Sequence, residues 1–454
     1  MGRRWTGKQS YNFVCKILGM KHTGFELFLI AAEQSEKTLK IEYKFKKGDQ
    51  LDSIEINVPE NSVIPSVKDI FPGGLWMQQE IARRFPVSFG AGESEDQLKP
   101  GYSPIEWGPF HPLLSEPALF KIQSKDEVVD SISISTGYNY RGIEELCEGE
   151  KPAVVLEMLE RTSLISGIST GIAFAFAVEK INNIEIPEKA KWIRLILNEM
   201  SCFKANLYCL NQIAQCLGLL SDGSEVFRLI DLFNESAEQI CDHPQLLGIT
   251  KIEGVSTDIS RGNIYAANAV LQDMKKELES LKSKWTNTHS IYKRLETTGF
   301  IDSNTAKQMS GRAARGAGVY EDPRKYSCLP YQLLTYTVPT SRGSNCLSRT
   351  MLLIDDLLLS LLLIDQGVEN LPDGNATINF NIAGSGKVIV REQDAYGEIV
   401  VLVSQENGNI KFIKTRNSTT LNFPFLPDVL KGCELTDLPL VLTSLNMDLS
   451  GMEK

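Results

Sequence analysis

The sequence lacks the cysteine and histidine spacings of a disulfide framework or a common metal site. Its nine cysteines include no Cys-x-x-Cys pair, and its four histidines include no pair at metal-ligand spacing. An odd cysteine count without such spacing favours a reducing compartment. Cys202, Cys209 and Cys216 recur every seven residues on one predicted helical face, where packing as small hydrophobes is favoured over ligation of a cluster.

Several signatures of catalysis are also missing. No Gly-x-Gly-x-x-Gly follows a strand and opens a helix, so the chain itself shows no nicotinamide site. Neither Gly-x-Ser-x-Gly nor His-Glu-x-x-His occurs. Gly384–Lys387 lacks both the earlier glycine and the following Ser or Thr of a phosphate-binding loop, so this segment predicts a β-turn.

The chain also lacks a basic surplus and a membrane span. A formal net charge of −10 excludes a dedicated nucleic-acid binder. No secretory signal is evident at the start. The most apolar run, Met351–Ile364, is too short for a bilayer and contains Asp355 and Asp356. It predicts a buried helix with the Asp pair at a polar seam, and any membrane association is expected through partners.

The pattern of apolar residues predicts an α+β protein with two domains. Residues 1–90 form a small α+β domain with strands at Thr38–Phe45 and Ser53–Val58, and the polar, Gly/Pro-bearing residues 91–104 form a linker. Residues 105–454 form the second domain. It contains a helix between Pro187 and Gly218 and another carrying Ala267 to Trp285, whose apolar stripes predict a multi-helix bundle.

Peripheral strands complete the second domain. The predicted strands are Ala118–Ile122, Val128–Ile134, Thr377–Ile382, Lys387–Arg391, Ile399–Val403 and Ile410–Lys414.

Two groups of segments carry a resemblance to known families. Pro65–Ile81 resembles the signature of the thirty-kilodalton subunit of complex I, with departures at Gln78 and Gln79. Gly108–Pro117 and Gly137–Glu144 resemble the large subunits of membrane-bound energy-converting (group 4) nickel–iron hydrogenases, relatives of the forty-nine-kilodalton subunit of complex I. Further segments resemble the same family in the same order along the chain, namely Ala177–Ile181, Trp192–Arg194, Ala314–Gly318 and Leu430–Leu440. The chain therefore resembles a fusion of the two subunit types, with a hydrogenase-large-subunit fold in its second domain.

The resemblance implies a metal site that has degenerated. The four cysteines that hold nickel in the family fall on Ser163, Ser166, Asp448 and Gly451. A serine hydroxyl stays protonated near neutral pH, whereas a thiolate is a soft ligand for a transition metal. No metal or other cofactor is therefore expected on this chain. Lys454 is level with the family's mature terminus, so no cleavable tail is expected either.

The residues that contact quinone in complex I are altered as well. The family's second histidine, four residues after His111, is Ser115, and its quinone-contacting tyrosine is Met158. Methionine offers a quinone carbonyl only a weak hydrogen-bond acceptor. His111 and Glu144 remain, and the resemblance implies that they form a proton path. The alternative is that Arg141 and Glu144 stabilise a loop at a subunit interface.

The resemblance implies a hydrophilic-arm subunit of a membrane-bound complex I-like oxidoreductase, cytoplasmic and peripheral on the inner face of the cell membrane. Its expected partners are membrane subunits and a small subunit like the twenty-kilodalton subunit of complex I, which would carry an iron–sulfur cluster. The chain is not expected to be a hydrogenase. Two alternatives stay open, namely an inactive scaffold subunit and a quinone-reducing NADH dehydrogenase-type subunit, with the quinone and NAD binding of that class.

Overall fold

A computed structural model describes residues 7–35, 38–90, 101–112, 114, 116–241, 243–256 and 259–454. By their contacts the residues form two compact units, Met1–Pro100 with Thr420–Asp428, and Gly101–Thr419 with Val429–Lys454. The assignment of Thr420–Asp428 to the first unit has no counterpart in the domain boundaries that we predict from the sequence. No helix in the described ranges is long and apolar enough to cross a membrane.

Helices and strands are both abundant, as expected for an α+β protein. The helices are α1 Gly7–His22, α2 Gly74–Arg84, α3 Ile143–Leu146, α4 Pro152–Leu159, α5 Gly167–Ile181, α6 Glu188–Cys216, α7 Leu220–Cys241, α8 Arg261–Asn287, α9 His289–Glu296, α10 Ser303–Ala306, α11 Arg312–Arg315, α12 Cys346–Glu369, α13 Ser418–Asn422, α14 Leu426–Leu430, α15 Leu438–Leu445 and α16 Leu449–Glu453. The strands are β1 Glu26–Ser35, β2 Thr38–Lys47, β3 Gln50–Pro59, β4 Ser62–Ile64, β5 Val87–Phe89, β6 Ser103–Trp107, β7 Leu119–Lys125, β8 Val128–Ser135, β9 Thr250–Lys251, β10 Gly254–Val255, β11 Gly386–Asp394, β12 Gly397–Glu406 and β13 Asn409–Arg416.

The first unit is built on an antiparallel β1–β2–β3 sheet, in which the two predicted strands lie side by side. Phe13 of α1 packs on Tyr43 of β2, with ring centroids 5.0 Å apart. Gln78 of α2, where the sequence departs from the signature of the thirty-kilodalton subunit, is buried and forms hydrogen bonds through both its oxygen and its nitrogen. Its side-chain oxygen accepts from the Ser66 hydroxyl and the Val67 amide at 2.9 and 3.2 Å, and its nitrogen donates to the Tyr43 hydroxyl.

The core of the second unit is the predicted helical bundle. The two predicted long helices are α6 and α8, and α12 packs against both. The apolar run of residues 351–364 lies within α12, as predicted, and its acidic pair meets cations. Asp356 accepts hydrogen bonds from the two terminal guanidinium nitrogens of Arg315, each at 2.8 Å. Asp355 forms an ion pair with Lys282. The prediction of a buried helix with a polar seam is confirmed.

A three-stranded antiparallel sheet, β11–β12–β13, packs on α5 and carries three of the predicted strands. The strand predicted at Thr377–Ile382 is wrong. Within it, Thr377 forms an isolated bridge with Gly254, and the Ile378 amide donates to the Glu253 carbonyl. Among the described residues, no strand pairs with the segment between Ile378 and the start of β11 at Gly386.

Two of the family-like segments are joined by a buried ion pair. The guanidinium of Arg194 in α6 is fully buried and donates to both carboxylate oxygens of Glu179 in α5, at 2.9 and 2.5 Å. It also donates to the carbonyl oxygens of Lys251 and Gly254 at 2.6 and 2.9 Å. One arginine therefore fastens α5, α6 and the β9–β10 hairpin together.

We predict that Glu179→Gln lowers the free energy of unfolding of the second unit by about 3–5 kcal/mol, because it leaves a buried guanidinium without its counter-charge. Urea unfolding followed by circular dichroism measures the change. Glu188→Gln is the matched control, because its partner Lys191 lies near it on the exposed side of α6 and such surface pairs contribute ~0–1 kcal/mol. Equal effects of the two substitutions would contradict the account.

Candidate functional site

The four positions that we predict to correspond to the family's metal ligands lie on two short segments of the second unit. Ser163 and Ser166 lie in the turn between α4 and α5, and Ser166 directly precedes α5. Asp448 is the N-cap residue of α16, and Gly451 lies in its first turn. The turn before α5 is tight, since a Cβ on Gly167 would lie 1.8 Å from the Glu160 carbonyl oxygen. Glycine is therefore required at position 167.

The Asp448 carboxylate acts as a helix cap. It accepts from the Gly451 amide at 3.0 Å and from the Asn417 side-chain nitrogen at 3.3 Å. Its own backbone amide donates to the Thr419 hydroxyl at 2.8 Å. A Cβ on Gly451 would stand 2.1 Å from Asp448 Oδ2, so the carboxylate occupies the space that a side chain at position 451 would need. These two positions therefore serve the geometry of α16.

Both serines of the first pair form hydrogen bonds within the site. The Ser166 hydroxyl donates to Oδ1 of Asp394, which lies at the end of β11 and also accepts from the Ala395 amide at 2.7 Å. The Ser163 hydroxyl accepts from the Ser166 amide at 3.3 Å. Ser166 therefore connects the turn before α5 to the β11–β12 turn.

A second carboxylate meets the start of α16. Glu116, only 7% exposed, accepts from the backbone amides of Leu449 and Ser450 and from the Ser450 hydroxyl, with the Ser450 amide at 2.9 Å. Burial, followed by the neighbouring Asp448 carboxylate, raises the pKa of Glu116 to about 8. The hydrogen bonds from α16 oppose that shift without cancelling it.

The pKa values of the two aspartates of the site are raised, as that of Glu116 is. Burial raises the pKa of Asp394 to about 7, and the Asp448 carboxylate adds to the rise. Burial likewise raises the pKa of Asp448 to about 6. For Tyr396, burial and the three nearby carboxylates raise the pKa well above its usual value. The site is therefore a buried cluster of carboxyl groups, Glu116, Asp394 and Asp448, that bind protons close to neutral pH. We call it the carboxyl cluster.

In contrast to the carboxyl cluster, Glu144 has a lowered pKa. It lies between two ammonium groups, 2.9 Å from Lys414 Nζ and 3.0 Å from Lys454 Nζ, and it accepts from the Thr415 amide at 2.7 Å. Burial alone would raise its pKa, but the two lysines outweigh burial and hold the pKa at about 2. Glu144 is therefore an ionised group near neutral pH, and its role in a proton path stays a prediction.

Arg141 fits the alternative of a loop stabiliser. Its guanidinium donates to the carbonyl oxygens of Arg161 and Thr162 at 2.8 and 2.6 Å, just before Ser163. The backbone amides of Arg141 and Gly142 both donate to the Lys454 carbonyl at 3.1 Å. The segment that contains Arg141 and Glu144 thus connects the α4–α5 turn to the residues after Asp448.

The positions predicted to correspond to the quinone-contacting residues of complex I do not lie together in one place. His111 contacts Trp107 edge-on, with ring centroids 4.8 Å apart, and lines a cavity of about 390 Å³ together with Phe110 and Glu116. Met158 lies at the end of α4, where its sulfur is 3.9 Å from the Cys147 thiol. Ser115 lies outside the described residues. Glu116 therefore links the His111 cavity to the carboxyl cluster, because it lines the cavity and also caps α16.

Three members of the site were not singled out as functional from the sequence, namely Glu116, Asp394 and Tyr396. Glu116 belongs to the family-like segment 108–117, and its position shortly before a predicted strand carries no sign of its contact with α16. Asp394 and Tyr396 lie in the turn between two predicted strands, where acidic and aromatic residues are common. An aspartate that is buried at such a turn is distinctive, but burial is visible only in the structure.

The cluster contains no arrangement typical of a metal centre. Within the described ranges, no three His, Cys, Asp or Glu side chains converge in a way that could hold a metal ion. The hydroxyl and carboxylate oxygens of Ser163, Ser166 and Asp448 form hydrogen bonds with other groups of the protein, as described above.

Comparison with known proteins defines the class of the fold. Residues 218–383 match the family "Respiratory-chain NADH dehydrogenase, 49 Kd subunit". A chain in the structure of the membrane-bound sulfane sulfur reductase, an archaeal respiratory membrane complex, superposes with a TM-score of 0.72 at 22% identity, covering 79% of this chain and 100% of that one. The second unit therefore has the hydrogenase-large-subunit-like fold that the matched family shares.

Particular relatives support the fused organisation. The C/D 1 subunit of the NADH-quinone oxidoreductase of Aquifex aeolicus is 23% identical over 418 residues, which are 86% of this chain and 70% of that protein. Formate hydrogenlyase subunit 5 of Escherichia coli is 25% identical over 351 residues, which are 75% of this chain and 61% of that protein. The predicted resemblance to a fusion of the two complex I subunit types, related to group 4 hydrogenase large subunits, is confirmed.

The raised pKa of Glu116 predicts a pH-dependent stability. Because the folded pKa of about 8 exceeds the ordinary 4.5, the folded state binds the proton more tightly. This stabilisation is complete below pH 4.5 and is lost as the pH rises towards 8, with a slope of up to about 1.4 kcal/mol per pH unit for one proton. Glu116→Gln should flatten the pH dependence of the melting temperature in this range. Glu106→Gln, on the exposed face of β6, should leave it as in the wild type, and a wild-type slope in the Glu116 variant would contradict the assignment.

Proposed function

We propose that this chain is a peripheral-arm subunit of a membrane-bound, complex I-like oxidoreductase, where it works beside an iron–sulfur small subunit and without a nickel–iron centre. The observation that carries the proposal is the replacement of the family's metal positions by Ser163, Ser166, Asp448 and Gly451, closed by mutual hydrogen bonds. The names of the relatives support the type of complex, since they are parts of a hydrogenlyase, a quinone oxidoreductase and a respiratory membrane complex.

The donor groups at the site do not fit a thiolate-bound nickel centre. Nickel and iron in such sites require soft, negatively charged sulfur ligands, whereas the site offers two neutral hydroxyls, one carboxylate and a glycine. The carboxylate of Asp448 already accepts from Gly451 and Asn417, and the Ser166 hydroxyl is already used on Asp394. Metal binding would require breaking these bonds and ionising the serines.

The task that suits the residues present is electrostatic coupling of electrons and protons. A buried carboxyl group with a pKa near neutral changes its protonation when a nearby charge changes, and a low dielectric environment strengthens that response. Reduction of a neighbouring cluster would therefore favour proton uptake by Glu116, Asp394 or Asp448. The cavity beside His111 would give such a proton a route from the surface to Glu116.

A scaffold role is the second candidate, and a specific observation favours it. Glu144 is held by two lysines and Arg141 by two carbonyl oxygens, so both residues join segments of the chain as purely structural elements would. In this case the carboxyl cluster would stabilise α16 and take no part in turnover. The two candidates differ in what happens when the cluster is neutralised while assembly is preserved.

We expect that the complex, purified with its native partners, contains nickel far below one atom per chain, together with an electron paramagnetic resonance signal from an iron–sulfur cluster. Elemental analysis by mass spectrometry and spectroscopy of the reduced complex measure both quantities. Nickel at about one atom per chain would sink the proposal. A cluster signal that shifts on addition of a quinone would instead favour a quinone-reducing subunit.

Asp394→Asn should lower the electron-transfer turnover of the assembled complex by roughly tenfold or more, because it removes a proton-accepting group. Glu106→Gln is the control for a removed carboxylate outside the cluster. Assembly is checked by size-exclusion chromatography and turnover by a dye-linked assay. Full turnover in a correctly assembled Asp394→Asn complex would support the scaffold role and overturn proton coupling.

A further inference from the structure

A second cavity lies in the same unit, between the end of α9 and the segment that precedes α15. It measures about 470 Å³ and shares no lining residue with the His111 cavity. Its walls include the loop 297–300 and the segment 431–437. A volume of this size is in the range of small-molecule sites.

The cavity presents two cationic groups with unused hydrogen-bonding capacity. Arg294 donates from Nε to Asp437 Oδ1 at 3.1 Å, and its two terminal nitrogens have no acceptor among the described residues. Lys431 is exposed at the rim and forms no ion pair with any residue that the structure describes. A guanidinium fork binds carboxylates and phosphates in a bidentate manner, and a lysine ammonium adds a point charge.

The aromatic side of the cavity is exposed yet firmly held. The side chain of Phe300 is 58% exposed. Directly before it, the Gly299 carbonyl accepts from Arg349 at 2.8 Å, and directly after it, the Ile301 amide donates to the Ser344 carbonyl at 2.8 Å. The opposite wall is anchored too, because residues 432 and 433 exchange backbone hydrogen bonds with Val129 of β8 at 2.8 and 2.9 Å. The cavity is therefore preformed.

We propose that this cavity binds a small organic anion. A carboxylate or phosphate group of the ligand contacts the terminal nitrogens of Arg294 and the ammonium of Lys431, and its apolar body rests on Phe300. The carboxylates of Glu434 and Asp437 line the same cavity and repel ligands with several negative charges. A ligand with one oxyanion group and a flat or apolar body fits this arrangement better than a polyphosphate does.

Isothermal titration calorimetry of the purified complex with benzoate, phenyl phosphate and inorganic phosphate tests the proposal. At least one of the two aromatic anions should bind saturably and more tightly than inorganic phosphate at equal ionic strength. Preference for benzoate would identify a carboxylate ligand, and preference for phenyl phosphate a phosphate ester. Absence of saturable binding by both aromatic anions, or tighter binding of inorganic phosphate, would overturn the proposal.

Two variants distinguish binding in the cavity from a general effect of surface charge. Lys431→Gln should weaken the binding of the preferred probe roughly tenfold, as expected for loss of a charge-assisted contact. Lys293→Gln is the matched control, because it removes one exposed positive charge next to Arg294, from a lysine that pairs with Glu296. Hydrogen exchange should show protection of residues 297–300 and 429–437 by the probe. Equal losses in the two variants, or protection elsewhere alone, would contradict the site.

Discussion

The carboxyl cluster depends on one constraint, namely that two acidic side chains share the N-terminus of α16. Asp448 caps α16 as its own N-cap residue. Glu116 comes from a distant segment of the sequence and accepts from the amides of Leu449 and Ser450. A helix N-terminus stabilises negative charge, but two buried carboxylates so close together oppose each other. Burial, to which the charge of Asp448 adds at Glu116, raises the pKa of both carboxyl groups and keeps a proton on the pair near neutral pH. The Ser166 hydroxyl donates to the third acid, Asp394.

The family-like segments owe their order to contacts that the structure makes visible. Glu179 and Arg194 lie in two such segments and form one buried ion pair. The segments around Arg141 and Asp448 meet through backbone bonds to Lys454, and Glu144 is neutralised by lysines from β13 and from the residue after α16. These interactions join the family-like segments without using the side chains of the carboxyl cluster.

Much of the fold could be predicted from the sequence, because periodic apolar residues determine which faces are buried. The long helices α6, α8 and α12, two strands of the first unit (β2 and β3) and five of the second (β7, β8, β11, β12 and β13) follow from such patterns. The prediction of a strand at Thr377–Ile382 is wrong because alternating apolar residues alone do not show whether a partner strand lies alongside. The partner of Ser166 could not be predicted, since Asp394 is far from it in sequence. Gln78 shows the same limit, as its three partners belong to β2 and the turn before α2.

Infrared difference spectroscopy of the assembled complex measures the protonation of the carboxyl cluster, because protonated carboxyl groups absorb at a different frequency from ionised ones. At neutral pH we predict a protonated-carboxyl band that changes when the iron–sulfur cluster is reduced and that weakens in Glu116→Gln and Asp394→Asn. Full ionisation of these acids at neutral pH, with no band that responds to reduction, would contradict proton binding by the cluster.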